Sequence, residues 1–278
     1  MDKQTFFKHY PIRKKDSSKF DNGRVLLISG SYGIAGAAIL NIIGARSVGA
    51  SYIHSLASED IYPIVASNEI TTVYHPDPLK DENYLKQLSL EDKVDAVGFG
   101  SGLDNHPFAH RYLCEVLENY KVPIVIDAYG LRLLAEDEGL YSRNEKLILT
   151  PHMGEFCRLT HLSKEEIEKD KVNIAINFAK TNKVILVLKG PETLIVSKDG
   201  TVNRNNSGNE ALARAGSGDV LTGMISGLCG LYDDPLEAAI DAVWLHGHLC
   251  DLAVKEHAKE TFDLRCYPVY ADRFFFEK

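Results

Sequence analysis

Cysteine is scarce in this chain of 278 residues. There are five, Cys114, Cys157, Cys229, Cys250 and Cys266. The number is odd and no two form a CxxC pair, which argues against a disulfide framework and a structural zinc site. A basic excess is also lacking: Lys and Arg total 31 against 39 Asp and Glu, a formal charge of −8. The chain is therefore not a general polyanion binder, and no nucleic-acid partner is expected. No apolar run approaches the ~18 residues of a membrane helix. The longest candidate, residues 34–43, is interrupted by Gly36 and Asn41, so no membrane partner is expected. Residues 1–20 are polar and lysine-rich and lack the apolar core of a secretory signal. The expected address is the reducing cytoplasm. No HExxH, P-loop or GxSxG is present.

What is there is an ordinary globular balance. Hydrophobic residues make up 45% and charged residues 25%, too apolar a mixture for disorder. No repeat, low-complexity tract or linker divides the chain, so residues 1–278 are expected to form a single domain. Short β-branched runs alternate with longer helical stretches. Residues 24–28, 51–56, 95–97, 123–127, 146–149 and 183–189 read as strands, and 193–202 as a hairpin turning at Gly200. Helices are expected from about 37 to 48, from Pro107 to about 119, and over 164–181, 219–227 and 235–255. Apolar strands alternating with helices predict an α/β fold with a parallel sheet covered on both faces.

In such sheets ligands bind beyond the carboxyl ends of the strands, and four clusters belong there. Ala215, Gly216, Ser217, Gly218 and Asp219 lead directly into a helix of small residues. The glycines free backbone N–H groups to converge, and the helix N-terminus adds partial positive charge, which makes an anion hole. A carboxylate there would repel the phosphate beside it. That odd placement suits Asp219 to take the proton of a hydroxyl attacking a phosphoryl group. An ordinary glycine turn N-capped by Asp219 has the same pattern. Lys189-Gly-Pro-Glu-Thr193 follows the best strand; its lysine can reach phosphate, although Gly-Pro also marks a turn with a solvated lysine. Leu149-Thr-Pro-His-Met-Gly-Glu155 stops another strand, and His152 can either donate to substrate or cap the next helix. Gly30, Gly33 and Gly36 follow the first strand without GxGxxG spacing, and no acid ends the next strand to hold a ribose, so a dehydrogenase is disfavoured. His246 and His248, at i and i+2, face different sides of a helix and do not share a metal.

Taken in order, these clusters resemble the NAD(P)HX dehydratase family, from about residue 23 to residue 251. The carriers are Gly30-Ser31 with Gly36-Ala-Ala38, Gly98-Phe-Gly-Ser-Gly102, Val125-Ile-Asp127, the run from Leu149 to Phe156, Val187-Leu-Lys-Gly190, and Asn206-Ser-Gly-Asn209 with Ala215 to Gly223. The resemblance implies a ribokinase-like three-layer αβα sandwich with a central, mostly parallel sheet. It implies a nucleotide-dependent dehydration of (6S)-NADHX or (6S)-NADPHX to NADH or NADPH. The C6 hydroxyl is phosphorylated and phosphate then leaves. On this resemblance Asp219 is the catalytic base, and Ala215, Gly216, Ser217 and Gly218 form the anion hole. Lys189, Gly190, Pro191, Glu192, Thr193 and Gly218 match the family's nucleotide contacts. Ala37, Gly102, His152 and Asp219 match its NADPHX contacts. ADP is the expected co-substrate and ATP the less expected one, because bacterial members that stand alone use ADP. Mg²⁺ is expected as the counter-ion of the phosphates, with no protein ligand assigned. A homotetramer is expected, and no epimerase domain.

Three departures from the family pattern matter. Its Gly-Pro-Gly-Leu-Gly reads Gly98-Phe-Gly-Ser-Gly102, which keeps the glycines and loses the rigid proline. Its Asp-Ala-Asp reads Asp127-Ala-Tyr129. The tail ends in Phe274-Phe-Phe276, an apolar stretch expected to need a cover, such as another subunit. Two rivals share the glycine hole: a small-molecule kinase of the same superfamily acting on a thiazole or pyrimidine alcohol, and a nucleotide sensor without catalysis.

Overall fold

The computed structural model describes residues 1–276. Nine strands carry it: β1 (Arg24–Ile28), β2 (Tyr52–Ser58), β3 (Val73–Asp77), β4 (Ala96–Phe99), β5 (Ile124–Ile126), β6 (Leu147–Leu149), β7 (Ile185–Leu188), β8 (Thr193–Val196) and β9 (Val202–Asn205). The helices are α1 (Lys3–His9), α2 (Ala35–Ser47), α3 (Tyr62–Asn68), α4 (Tyr84–Gln87), α5 (Ala109–Asn119) and α6 (Tyr129–Glu136). They continue with α7 (Met153–Thr160), α8 (Lys164–Lys169), α9 (Lys171–Asn182), α10 (Ser217–Cys229), α11 (Pro235–Ala253) and α12 (Tyr267–Phe276). No helix among the described residues is long and apolar enough to cross a membrane.

The strands form one sheet in the order β3-β2-β1-β4-β5-β6-β7-β8-β9. Pairings from β3 across to β7 are parallel, and β8 and β9 close the edge antiparallel. Alternate side chains on a strand face opposite ways. Val25 and Leu27 accordingly pack with residues of α2, α10 and α11, while Leu26 and Ile28 pack with α5, α6 and α7. Both faces of the inner strands are covered, which is why they read as unbroken apolar runs. The expected three-layer αβα sandwich is present.

Several expectations need correction. The helix expected over 164–181 is two helices, broken at Asp170, whose backbone leaves the helical region. Pro107 does not open a helix; α5 begins two residues later, at Ala109. β3 adds a strand that the sequence does not announce, because its His75-Pro-Asp77 end lacks the apolar pattern. As an edge strand it has a free side and tolerates a proline. The phenylalanine tail is covered only in part by the chain itself, since Phe276 stays 90% exposed. Phe274 is buried, stacked on Phe7 with ring centroids 5.1 Å apart and edge-on to Phe6 at 5.3 Å. The chain's own α1 therefore covers the Phe274 face of α12. Glu277 and Lys278, which end that tail, lie outside the described residues.

Candidate active site

The chain runs outward from β1 to β3 and then returns to lay β4 on the other side of β1. The switch opens a crevice at the carboxyl ends of β1 and β4, where open α/β sheets bind ligands. The two loops there are knitted together. The Gly30 amide donates to the Ser101 carbonyl at 2.9 Å, and the Ser31 hydroxyl to the Gly102 carbonyl at 2.8 Å. Gly100 has φ +120°, and a Cβ on it would run into the carbonyl of Asp127. Only glycine lets this loop close onto the end of β5. Ala37 borders the same crevice, since a Cβ on Gly102 would come within 2.7 Å of Ala37 Cβ.

A charged centre fills the floor. Asp127, at the end of β5, is buried and accepts from three side chains: Lys189 Nζ at 2.8 Å, Thr150 Oγ1 at 2.7 Å and Ser101 Oγ at 3.3 Å. Burial works against its charge, but Lys189 and these hydrogen bonds hold its pKa below the usual carboxylate range. Lys189 is not the solvated lysine of a turn. Its side chain is 20% exposed and lies 4.0 Å from Glu155 as well. Burial disfavours the ammonium; the charges of Asp127 and Glu155 outweigh it, so the pKa stands above the ordinary value.

Asp219 meets this pair from α10. The helix begins at Ser217 with Gly216 as its cap, so Asp219 is the third helical residue and not the N-cap. Its carboxyl is pushed up to about 7, by burial first and by the Asp127 charge second, against Lys189 and a Ser101 hydrogen bond. A carboxylate poised near neutrality suits general-base work. The first-turn amides of a helix have no partner within it, so those of Gly218 and Asp219 are open donors beside the lysine. A Cβ on Gly218 would stand 3.2 Å from Lys189 Nζ, and one on Gly216 (φ +92°) would strike Leu40. The anion hole read from Ala215 to Gly218 thus has a lysine at its mouth.

The remaining residues divide. His152 caps α7: its Nδ1 accepts from the Gly154 and Glu155 amides at 3.0 and 3.2 Å, and its own amide donates to the Glu155 carboxylate at 2.8 Å. The capping reading of His152 holds, and the cap places the proton on Nε2 of an exposed ring. Thr193 turns inward and closes the 190–193 turn on Gly190. Glu192 is exposed and pairs with Arg204 at 3.6 Å. Tyr129, where the resemblance expects an acid, starts α6 and lies against Arg132. Asp251 accepts from the Gly208 amide and Asn209 Nδ2, and so fastens the loop ahead of the hole. Among the described residues no cluster of three or more His, Cys, Asp or Glu side chains could hold a metal.

Sequence reasoning left Asp127, Ser101, Thr150 and Asn41 without a role. Asp127 carried a signal, an acid closing an apolar strand. Asn41 carried one too, a lone amide inside an apolar helix.

The family model described as NAD(P)H-hydrate dehydratase matches residues 25–267. The ADP-dependent (S)-NAD(P)H-hydrate dehydratase of Bacillus subtilis is 34% identical over 253 residues, covering 90% of this chain and 88% of that one. The bifunctional NAD(P)H-hydrate repair enzyme of Moorella thermoacetica is 35% identical over 258 residues. That match covers 90% of this chain but 49% of the relative, so the chain spans about half the length of such bifunctional proteins. A crystal structure of the Bacillus subtilis ADP/ATP-dependent dehydratase, co-crystallised with ATP and Mg²⁺, superposes with a TM-score of 0.85 at 30% identity, over 99% of this chain and 97% of that one. The chain belongs to the NAD(P)H-hydrate dehydratase family, as an enzyme of ribokinase-like αβα architecture.

Proposed function

We propose that the chain, acting as one domain, removes water from (6S)-NADHX and (6S)-NADPHX at the expense of ADP, and releases NADH or NADPH, AMP and phosphate. The observation that carries this reading is Asp219, a carboxyl with a pKa of about 7 set among the open amides of α10 and the Lys189 ammonium. Asp219 takes the proton of the C6 hydroxyl. The hydroxyl oxygen forms its bond to the terminal phosphorus of ADP while the bond to AMP breaks. The Gly218 and Asp219 amides and Lys189 stabilise the charge on the transferred phosphoryl oxygens. Phosphate is then a far better leaving group than hydroxide. Its departure with the C6–O bond, and loss of a ring proton, restores the dihydronicotinamide. Ala37, Gly102 and the His152 Nε2 donor border the hydrated dinucleotide, and the 189–193 turn borders the nucleotide.

Mg²⁺ would neutralise the phosphates' charge. The lack of a carboxylate cage among the described residues fits an ion carried in on phosphate oxygens. A cytoplasmic homotetramer completes the proposal. For an interface between copies, the edge strand β3 and the exposed Ile64, Ile70 and Phe276 offer a strand edge and apolar surface to cover.

The test is absorbance at 340 nm with (6S)-NADHX, Mg²⁺ and either ADP or ATP. Growth with ADP, accompanied by one phosphate per NADH, is the expected result. A stable phosphorylated product without NADH would overturn the reading in favour of a kinase.

A further inference from the structure

α2 and α10 cross at backbone contact. A Cβ on Gly44 of α2 would run into the Val220 carbonyl, and one on Gly223 of α10 would run into the Asn41 carbonyl. With no side chain between the two helices, a short residue on one can reach the backbone of the other. Asn41 does so. It is fully buried, and its Nδ2 donates to the Asp219 carbonyl at 2.9 Å and to Ser101 Oγ at 3.2 Å. The partners settle which end of the amide faces them, because a carbonyl can only accept. Asn41 Oδ1 is left with no hydrogen-bond partner.

A buried acceptor without a partner costs stability, and an apolar side chain of the same shape would avoid that cost. Its presence is explained by what the other end holds. Ser101 has a single proton. By occupying a lone pair of Ser101 Oγ, Asn41 turns that proton toward the neighbouring Asp127 and Asp219, where it is donated to Asp127 at 3.3 Å and can swing to the Asp219 carboxylate. By gripping the Asp219 carbonyl, it also fixes the first turn of α10 against the loop that follows β4.

We propose that Asn41 is a positioning residue for the dehydration, which sets the place of Asp219 and the direction of the Ser101 hydroxyl through a hydrogen-bonded bridge between α2, α10 and the 100–102 loop. The inference rests on Asp219 being the base. The groups facing Asp219 are Asp127 from β5, Lys189 from the end of β7, Glu155 from α7 and Ser101 from the loop after β4. Loss of Asn41 frees the Ser101 proton to rotate away, and removes a hydrogen bond that favours the Asp219 carboxylate.

The test is the full chain carrying Asn41→Leu, with Asn41→Ala as a second variant in case leucine does not fit. Each is measured for kcat, for the KM of ADP, for the acid limb of kcat against pH, and for Tm. Expected are a fall in kcat of about tenfold or more, as for a group displaced by a fraction of an ångström to an ångström, and an acid limb moved to higher pH. The KM of ADP should stay within about twofold, with an unchanged or higher Tm for Asn41→Leu. A lower Tm with parental kcat and pH profile in both variants overturns the proposal, for then Asn41 serves packing alone. The parent enzyme in the same assay separates the two claims. An inactive parent defeats the dehydratase reading, while an active parent with active variants defeats only the role of Asn41.

Discussion

Asp219 is held in an environment that opposes its charge, so Asp219→Asn should stabilise the protein while silencing it. The carboxyl titrates at 3.8 when exposed and near 7 in the fold, through burial and the Asp127 charge. The folded state therefore binds this proton more tightly than the unfolded chain. That contribution to stability is complete below about pH 4 and is lost as the pH climbs through 7. The difference corresponds to roughly 4 kcal/mol at about 1.36 kcal/mol per pKa unit. Partial exposure of the carboxyl trims it to about 2–3 kcal/mol. Asparagine is nearly isosteric and carries no charge at any pH. At about 2–4 °C per kcal/mol for a chain of this size, Tm at pH 8 should rise by roughly 5–10 °C. At pH 4 variant and parent should melt together. Turnover should fall by about 10²–10⁴-fold, with ADP binding within a few-fold of the parent. Calorimetry from pH 4 to 9, with the 340 nm assay alongside, reads both quantities. An unchanged Tm at pH 8 would refute the opposed carboxylate, and near-normal turnover would refute the base.

Asp127→Asn removes a like charge from beside Asp219 and frees Lys189 to attract it. Its kcat/KM profile should therefore rise at lower pH by about one unit, in line with like charges at an effective dielectric of ~20; an acid limb at or above the parental pH would contradict this. The same variant leaves a mostly buried ammonium with a weaker partner and should cost about 3 kcal/mol in urea unfolding. Lys189→Met should raise the Kd of ADP about tenfold or more by titration calorimetry, and unchanged binding would remove Lys189 from the nucleotide site. Phe274→Ala opens a cavity among Phe6, Phe7 and Trp244 and should cost about 3–5 kcal/mol. Its kcat should stay parental, and a small loss of stability would mean that α1 does not cover α12 in solution.

Much of the architecture was legible because burial on both faces writes itself as apolar runs. β1, β5, β6 and β7 each appeared as such a run, and the αβα class followed from their alternation with helices. The glycines at 216 and 218, and His152 as a helix cap in one of its two readings, were legible for a related reason: backbone geometry near a helix start restricts residue type locally. What the sequence determined, then, is whatever a few neighbouring residues settle among themselves. Tertiary structure decided the rest. Lys189 and Asp127 are 62 positions apart, and only the sheet, which sets the ends of β5 and β7 on either side of β6, brings them to 2.8 Å. The pKa of Asp219 is a property of that meeting, since neither burial nor a neighbouring charge is written at position 219. Asn41 looked like an interruption in an apolar helix until α10 came to lie against it. Phe274 looked unpartnered because its cover, α1, lies at the other end of the chain. Contacts between distant segments leave no periodic mark on either one, and the chemistry of this site is made of such contacts.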